Sequence, residues 1–471
     1  MRIRQNFFPF IIVLAVFAAC PFVGGGVALD SYFLSVFAFF VGAGMLFFPF
    51  TKIETSSENV GKILSDFQIY FVFALCILVF IQLVNPSTEY VKIFDGWSFL
   101  SRNYVRWLPS SVYSDGEKNS IQNLFYALLG GVVLFALLKC VLNSNRRIFL
   151  LLNFLFFSAI VVEMLFCLHK LTGANPLELI SIDGAQSGTF YYHAHGNAFL
   201  VCVIGVGGTL MVLSRTMLSL WLYFVATVFL WFCVFLSGGA YGFFIASCVF
   251  GLICIYLLFL NKKFRIILLG GVVLLVIVGT ALFGNSTLMA KVQGSYGRIA
   301  DRVQNVSQFM HMRTEIKKMT FDMICSGGDY AVFSKKTSPN AMFVLFGRGL
   351  GSYRSMCEIY SVKNPNLLYV NENGVRFFMV SGHAHCDPLQ FVFEFGIFGG
   401  LLILCWVVLY FVKIWKLWNG KLLSRRAVPL LVSLLGLFVF SINDNVFYNV
   451  SVSYCAILLG VCVLGFKPNL K

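Results

Sequence analysis

The sequence predicts an all-α polytopic membrane protein with about twelve transmembrane helices and a large, mostly helical loop outside the membrane between helices nine and ten. Three observations predict it, and composition is the first. Of 471 residues, 59% are hydrophobic and 12% charged, with a mean hydropathy of +0.84, whereas a soluble domain carries about 25% charged residues. This excludes a soluble globular chain and a disordered one. Second, the apolar residues collect in runs of about twenty, the length of one bilayer crossing, and 53 Phe with 41 Gly suit lipid-facing surface and close helix contact. Third, the short loops alternate between basic and uncharged.

A window of about 19 residues places spans near 7–23, 31–50, 67–84, 121–142, 148–168 and 196–213, then 217–236, 240–260, 264–284, 389–412, 427–441 and 445–466. Arg2 and Arg4 precede the first run as they would a signal peptide; no small-x-small cleavage site ends it, so it reads as a helix. With the N-terminus inside, the inner segments hold Arg146, Arg147, Lys262, Lys263, Lys413, Arg425 and Arg426, whereas the outer turns 24–30, 237–240 and 442–445 hold no Lys or Arg. That asymmetry puts both termini in the cytoplasm. It also accounts for most of the net charge of +15, which leaves no reason to invoke nucleic acid.

The chain thus divides into residues 1–284 with helices one to nine, an outer loop domain over 285–388, and residues 389–471 with the last three helices. The loop domain carries twelve Lys and Arg against seven Asp and Glu. Within it Arg298, Arg302, Arg313, Lys317 and Lys318 lie in a run free of Gly and Pro that reads as helical. The spacing of Arg298 and Arg302, and of Arg313 and Lys317, gives each couple one helix face. Paired guanidinium groups suit two-pronged capture of phosphate oxygens; a basic helix lying on anionic headgroups has the same pattern. Gly347-Arg348-Gly349-Leu350-Gly351 has phosphate-loop spacing but no following Lys-Ser/Thr, and reads as a turn.

All six His fall on the outer side, four of them in two identical tripeptides, His193-Ala194-His195 and His383-Ala384-His385. Each precedes a span, so the two can converge at the outer membrane face. After the second come Cys386, Asp387, Pro388, Gln390, Glu394, Gly396 and Gly399. Pro388 suits a first helical turn and Asp387 its positive end. Gln390 and Glu394 share a face, and an ionisable residue within a span marks either a functional site or a structural anchor. Of 14 Cys, those in the spans behave as small apolar residues; Cys325 and Cys357 could pair in an oxidising compartment. A zinc site from the His pairs with Cys386 and Asp387 is the weaker alternative to a histidine base, and the reading assigns no metal and no cofactor.

This pattern resembles the O-antigen ligase and polymerase superfamily of bacterial inner-membrane glycosyltransferases. The family's motif of His, a small polar residue, nine variable residues, Gly, two variable residues and Gly falls on His385, Cys386, Gly396 and Gly399. Arg313 followed by Phe346 to Tyr353 is similar to the family's Arg segment and Gly-x-Gly turn. Cys386 stands where the family usually has Asn, Ser or Gln. The family's basic residue near the turn after helix seven is absent from Ser237-Gly238-Gly239-Ala240, where Arg298, Arg302 or Arg348 can substitute.

The resemblance implies a metal-independent transfer, at the periplasmic face of the inner membrane, of an undecaprenyl-pyrophosphate-linked glycan onto lipid A-core. His385 would be the base that deprotonates the acceptor hydroxyl, with His383 and Glu394 orienting it. Arg313 with Arg298, Arg302 or Arg348 would neutralise the departing pyrophosphate, while His193, His195, Gln390 and Asp387 complete the substrate site. A polymerase of O-antigen or exopolysaccharide and a protein O-oligosaccharyltransferase share these features. A secondary transporter is the rival of another class, disfavoured by sparse mid-membrane charge and the long outer loop.

Overall fold

The computed structural model describes residues 7–23, 66–93, 96–114, 121–172, 186–271, 286–326, 341–370, 374–378 and 380–467, with positions 39, 42, 61, 63 and 64. All of the predicted span 31–50 but positions 39 and 42, and most of 264–284, lie outside the described residues. The apolar runs form α1 (Phe7–Val23), α2 (Phe67–Val84), α3 (Ile121–Val141), α4 (Asn145–Thr172), α5 (His193–Leu213), α6 (Met217–Leu236) and α7 (Ala240–Leu260). After the intervening segment come α12 (Asp387–Asn419), α13 (Val428–Ser441) and α14 (Val450–Gly465). Seven of these, α2 to α7 and α12, are long and apolar enough to cross a membrane.

Local chemistry sets several ends. Asp66 caps α2 by accepting from Gln68 N at 3.1 Å, and Asn449 caps α14 by accepting from Val452 N at 3.2 Å, each filling a donor that the first turn leaves open. The interior helix is α5, buried over 89% of its apolar window against 33% for α6 and α7. It packs on α4, α6, α7, α13 and α14, so its first turn lies where α4, α6 and α13 end and α7 and α14 begin.

The described residues between 286 and 363 are mostly helical, as expected of the loop, in α8 (Ser286–Gln304), α9 (Val306–Cys325), α10 (Ala341–Phe346) and α11 (Ser352–Lys363). The helical run breaks at Asn305, so Arg298 and Arg302 sit on one helix and Arg313 and Lys317 on the next. The all-α expectation needs correction in two places. Residues 86–114 form a three-stranded sheet in the order β2-β1-β3, with β1 (Pro86–Ile93) antiparallel to β2 (Gly96–Ser101) and parallel to β3 (Ser111–Ser114). A second, two-stranded sheet pairs β4 (Leu368–Val370) antiparallel with β5 (Arg376–Phe378). Thr88, Tyr90 and Val91 carry the β-branched and aromatic preference of a strand, but strands this short vanish inside a membrane-span window.

One feature of α12 positions the site. Its 33 residues are interrupted at Gly396, whose φ of 72° and ψ of −178° break the helix. The carbonyls released by the break are taken by the glycine turn: Arg348 N donates to Phe393 O at 3.1 Å and Gly349 N to Glu394 O at 2.9 Å. Main chain meets main chain here, since a Cβ on Gly347 would lie 2.2 Å from Glu394 O and one on Gly396 would lie 2.3 Å from Leu345 O. A separate apolar cluster of Tyr90, Ile316, Met319, Tyr353, Met356 and Phe393 fastens the sheet, α9 and α11 to this first segment of α12.

Candidate functional site

The site forms around a residue that sequence reasoning passed over. Asp444 lies in the turn between α13 and α14 and is 2% exposed. Its Oδ1 accepts from Tyr192 Oη at 3.1 Å and from Asn445 N at 3.0 Å, and faces His385 Nδ1 at 3.2 Å. Its Oδ2 accepts from Arg313 Nη2 at 3.0 Å. Burial alone would raise this carboxyl, but the His385 hydrogen bond and the Arg313 charge outweigh it and hold Asp444 below the usual carboxylate range. Arg313 also donates through Nη1 to Asn443 O, and Lys317 Nζ donates to Asn443 Oδ1 at 2.6 Å. Two N–H groups of Arg313 are thus committed to the turn, so the guanidinium is an internal clamp on Asp444 before it is anything else.

Asp387, in the first turn of α12, fixes that turn from the other side. Its Oδ2 accepts from Val446 N at 2.8 Å and Phe447 N at 3.0 Å. His385, two residues earlier, has a φ of 48°, a left-handed conformation uncommon for any residue with a Cβ and a recurrent mark of functional positions. With Nδ1 donating to Asp444, the lone pair of the neutral imidazole is on Nε2. This is the arrangement in which a carboxylate orients a histidine base.

The first His pair meets the second across Asp444. His195 Nε2 bonds Asn445 O at 2.7 Å. His193 Nδ1 bonds Gln186 Oε1 at 2.8 Å, and its Nε2 lies 3.4 Å from Arg302 Nη1. Arg298 sits on the turn after α6: Nη2 donates to Ser295 Oγ at 3.0 Å, and a Cβ on Gly238, which has a φ of 72°, would lie 2.4 Å from its Nε. A cation therefore occupies the Gly238 turn although the turn itself carries none; it comes from α8.

Glu394 is placed differently. It is fully buried, with Oε2 accepting from Tyr448 Oη at 2.6 Å and Gly351 N at 2.9 Å and Oε1 from Gln390 Nε2 at 3.1 Å. Gln390 Oε1 accepts from Ala384 N at 3.0 Å, and its Nε2 lies 3.4 Å from His383 Nδ1. Burial, with the neighbouring histidines, pushes His383 down to about 3, so this imidazole is neutral at ordinary pH. Glu394, Gln390 and His383 thus form one network holding the glycine turn and the 383–386 segment to α12, and none of the three touches Asp444. Arg348 is 2% exposed, with its guanidinium 3.4 Å over the Phe343 ring.

Beneath the site, α2, α3, α12, α13 and α14 border an apolar pocket of about 340 Å³, lined among others by Leu128, Gly131, Phe391, Phe395, Tyr448 and Tyr454. Tyr448 joins the two: its ring stacks on Phe391 at 5.4 Å and lies 5.5 Å from the His383 ring. Cys325 and Cys357 do not pair. Cys357 is buried in α11, its thiol donating to Arg354 O at 3.0 Å, whereas Cys325 is exposed in the last turn of α9. Among the described residues no three His, Cys, Asp or Glu side chains converge as a metal-holding group. Comparison with protein-family models, with curated proteins and with solved structures finds no match.

Proposed function

We propose that this chain is a twelve-span glycosyltransferase of the bacterial inner membrane, acting at the periplasmic face to move an undecaprenyl-pyrophosphate-linked glycan onto lipid A-core. The reading rests on one observation, the His385–Asp444 couple, with Arg313 on Asp444 and Lys317 on the same turn, beside an apolar cavity. His385 Nε2 takes the proton of the acceptor hydroxyl, and Asp444 stabilises the imidazolium that forms; such proton transfer is worth about 10²–10⁴ in rate. The acceptor oxygen bonds the sugar's anomeric carbon as the bond to pyrophosphate breaks, and the pyrophosphate departs with the electron pair. Arg302 and Arg298, with Arg313 and Lys317 behind them, neutralise that charge. The polyprenyl tail reaches the site from the bilayer through the cavity under Tyr448. His383, held neutral, supports the loop, and of the two His-Ala-His histidines in that segment His385 is the base.

The test is the lipopolysaccharide gel profile of a deletion strain complemented with wild type or with His385→Ala. The variant, present at normal level, is expected to lose long O-chains while polymer accumulates on the carrier lipid. Single-repeat lipopolysaccharide would assign the same site to a polymerase. A wild-type ladder from the variant would remove His385 as the base.

A further inference from the structure

Trp107 is 72% exposed and Val105 41% exposed, with Arg106 exposed between them. Three such side chains on a loop tip would ordinarily be a surface without meaning. What gives them one is the residue that holds the loop. Asn85 is the C-cap of α2; its Nδ2 donates to Val105 O at 3.0 Å and Pro109 O at 3.1 Å, and its Oδ1 accepts from Val105 N at 2.8 Å. The loop 102–109 is therefore tied to the last residue of a spanning helix. At 1.5 Å per residue, the 18 residues of α2 are about 27 Å long, close to the ~30 Å of the hydrocarbon layer, so Asn85 stands at the edge of the hydrocarbon. Val84 beside it is 62% exposed, continuing the lipid-facing side of α2 toward the loop.

We infer that Val105, Arg106 and Trp107 form an interfacial anchor that sits in the headgroup layer of the leaflet on the site's side. An indole at the level of the ester groups and an arginine on lipid phosphate are the pairing this layer favours, and the guanidinium complements anionic headgroups. The anchor bears on the site through the sheet. Arg102 N donates to Ser87 O at 3.0 Å and Val112 N to Arg348 O at 3.0 Å, while Ser111 Oγ donates to Gln82 O at 2.7 Å. The sheet is thus braced on the glycine turn that meets α12, and the anchor fixes the height of that turn above the bilayer. The inference does not depend on which reaction the site performs.

The full chain is reconstituted in vesicles of phosphatidylethanolamine and phosphatidylglycerol, and the emission of Trp107→Phe is subtracted from that of the wild type to isolate Trp107. The difference emission is expected to be blue-shifted and quenched by lipids brominated high on their acyl chains more strongly than by lipids brominated near the chain ends or by aqueous iodide. Quenching chiefly by iodide would overturn the anchor. So would shielding from both quenchers, which would place the loop against protein. Because Trp107 is exposed, the Phe variant folds; an unchanged elution volume on size exclusion verifies this.

Discussion

Glu394 and Asp444 are both carboxylates closed off from solvent at the same end of the helix bundle, and they are held by opposite kinds of partner. Glu394 collects a phenol, an amide and a backbone N–H, all neutral donors, and connects the glycine turn to the kinked helix. Asp444 collects a guanidinium and an imidazole besides its neutral donors, and stays charged. Burial of a carboxylate does not by itself mark chemistry. The charge of the partners separates the two, because a buried carboxylate that stays ionised needs a counter-ion already in place.

The sharpest way to break this contrast is Asp444→Asn, which keeps size but removes the charge that orients His385. Transfer is expected to fall by about 10²–10⁴ in an assay of lipid-linked glycan consumption, with the protein still inserted. A rate near wild type would make Asp444 a second structural carboxylate. Next in size is Gly347→Ala on the Glu394 side. The new methyl meets a backbone carbonyl that cannot withdraw, on top of about 1–3 kcal/mol of left-handed strain, so the detergent-solubilised protein should lose much of its thermal stability. Gly374→Ala is the control, since Gly374 has a φ of 76° with nothing within 4 Å of its Cβ position, and should show the strain alone.

A smaller effect is expected of Glu394→Gln. Glutamine still accepts from Tyr448 or Gly351, so about 0.5–1.5 kcal/mol of stability is lost while the transfer rate stays within a few-fold. A rate collapse equal to that of Asp444→Asn would merge the two networks into one machine. Last, acid should weaken the structural network through His383. Its folded pKa of about 3 lies below the ordinary value of about 6.5, so between these values only the unfolded chain binds the proton. Stability is then fully present above about pH 6.5 and falls on acidification toward pH 3, by at most about 1.4 kcal/mol per pH unit. Thermal midpoints at pH 7 and pH 5 measure it, and His383→Gln should flatten the dependence.

Much of the architecture was legible because run length is a direct reading of bilayer thickness. The helices α2, α6 and α7 coincide with their predicted ranges, and α5 begins three residues early because His193 already lies in its first turn. The two His-Ala-His tripeptides were visible as a repeat, and their preceding spans in the chain made a meeting at one membrane face a natural expectation. Asp444 was not legible. Its turn drew notice only for lacking Lys and Arg, and its decisive partner Arg313 is 131 residues away, a separation across which no local spacing carries information. Glu394 illustrates the converse: its position within a span is plain, but whether it serves chemistry or scaffolding depends on Tyr448 and Gly351, which only the folded chain brings to it. The sheet over 86–114 was hidden by the averaging window that found the helices.

The left-handed backbone at His385 bears on the turnover of the proposed reaction. The segment is gripped on both sides, by Gln390 at Ala384 and by the proline-led helix after Cys386, so the imidazole is a fixed post with no arm to swing. Under the proposed function, proton delivery and product exit would then fall to the visitors. Lipids sliding past a stationary base would set the tempo, and the cycle time should track membrane fluidity more closely than any rearrangement of the polypeptide.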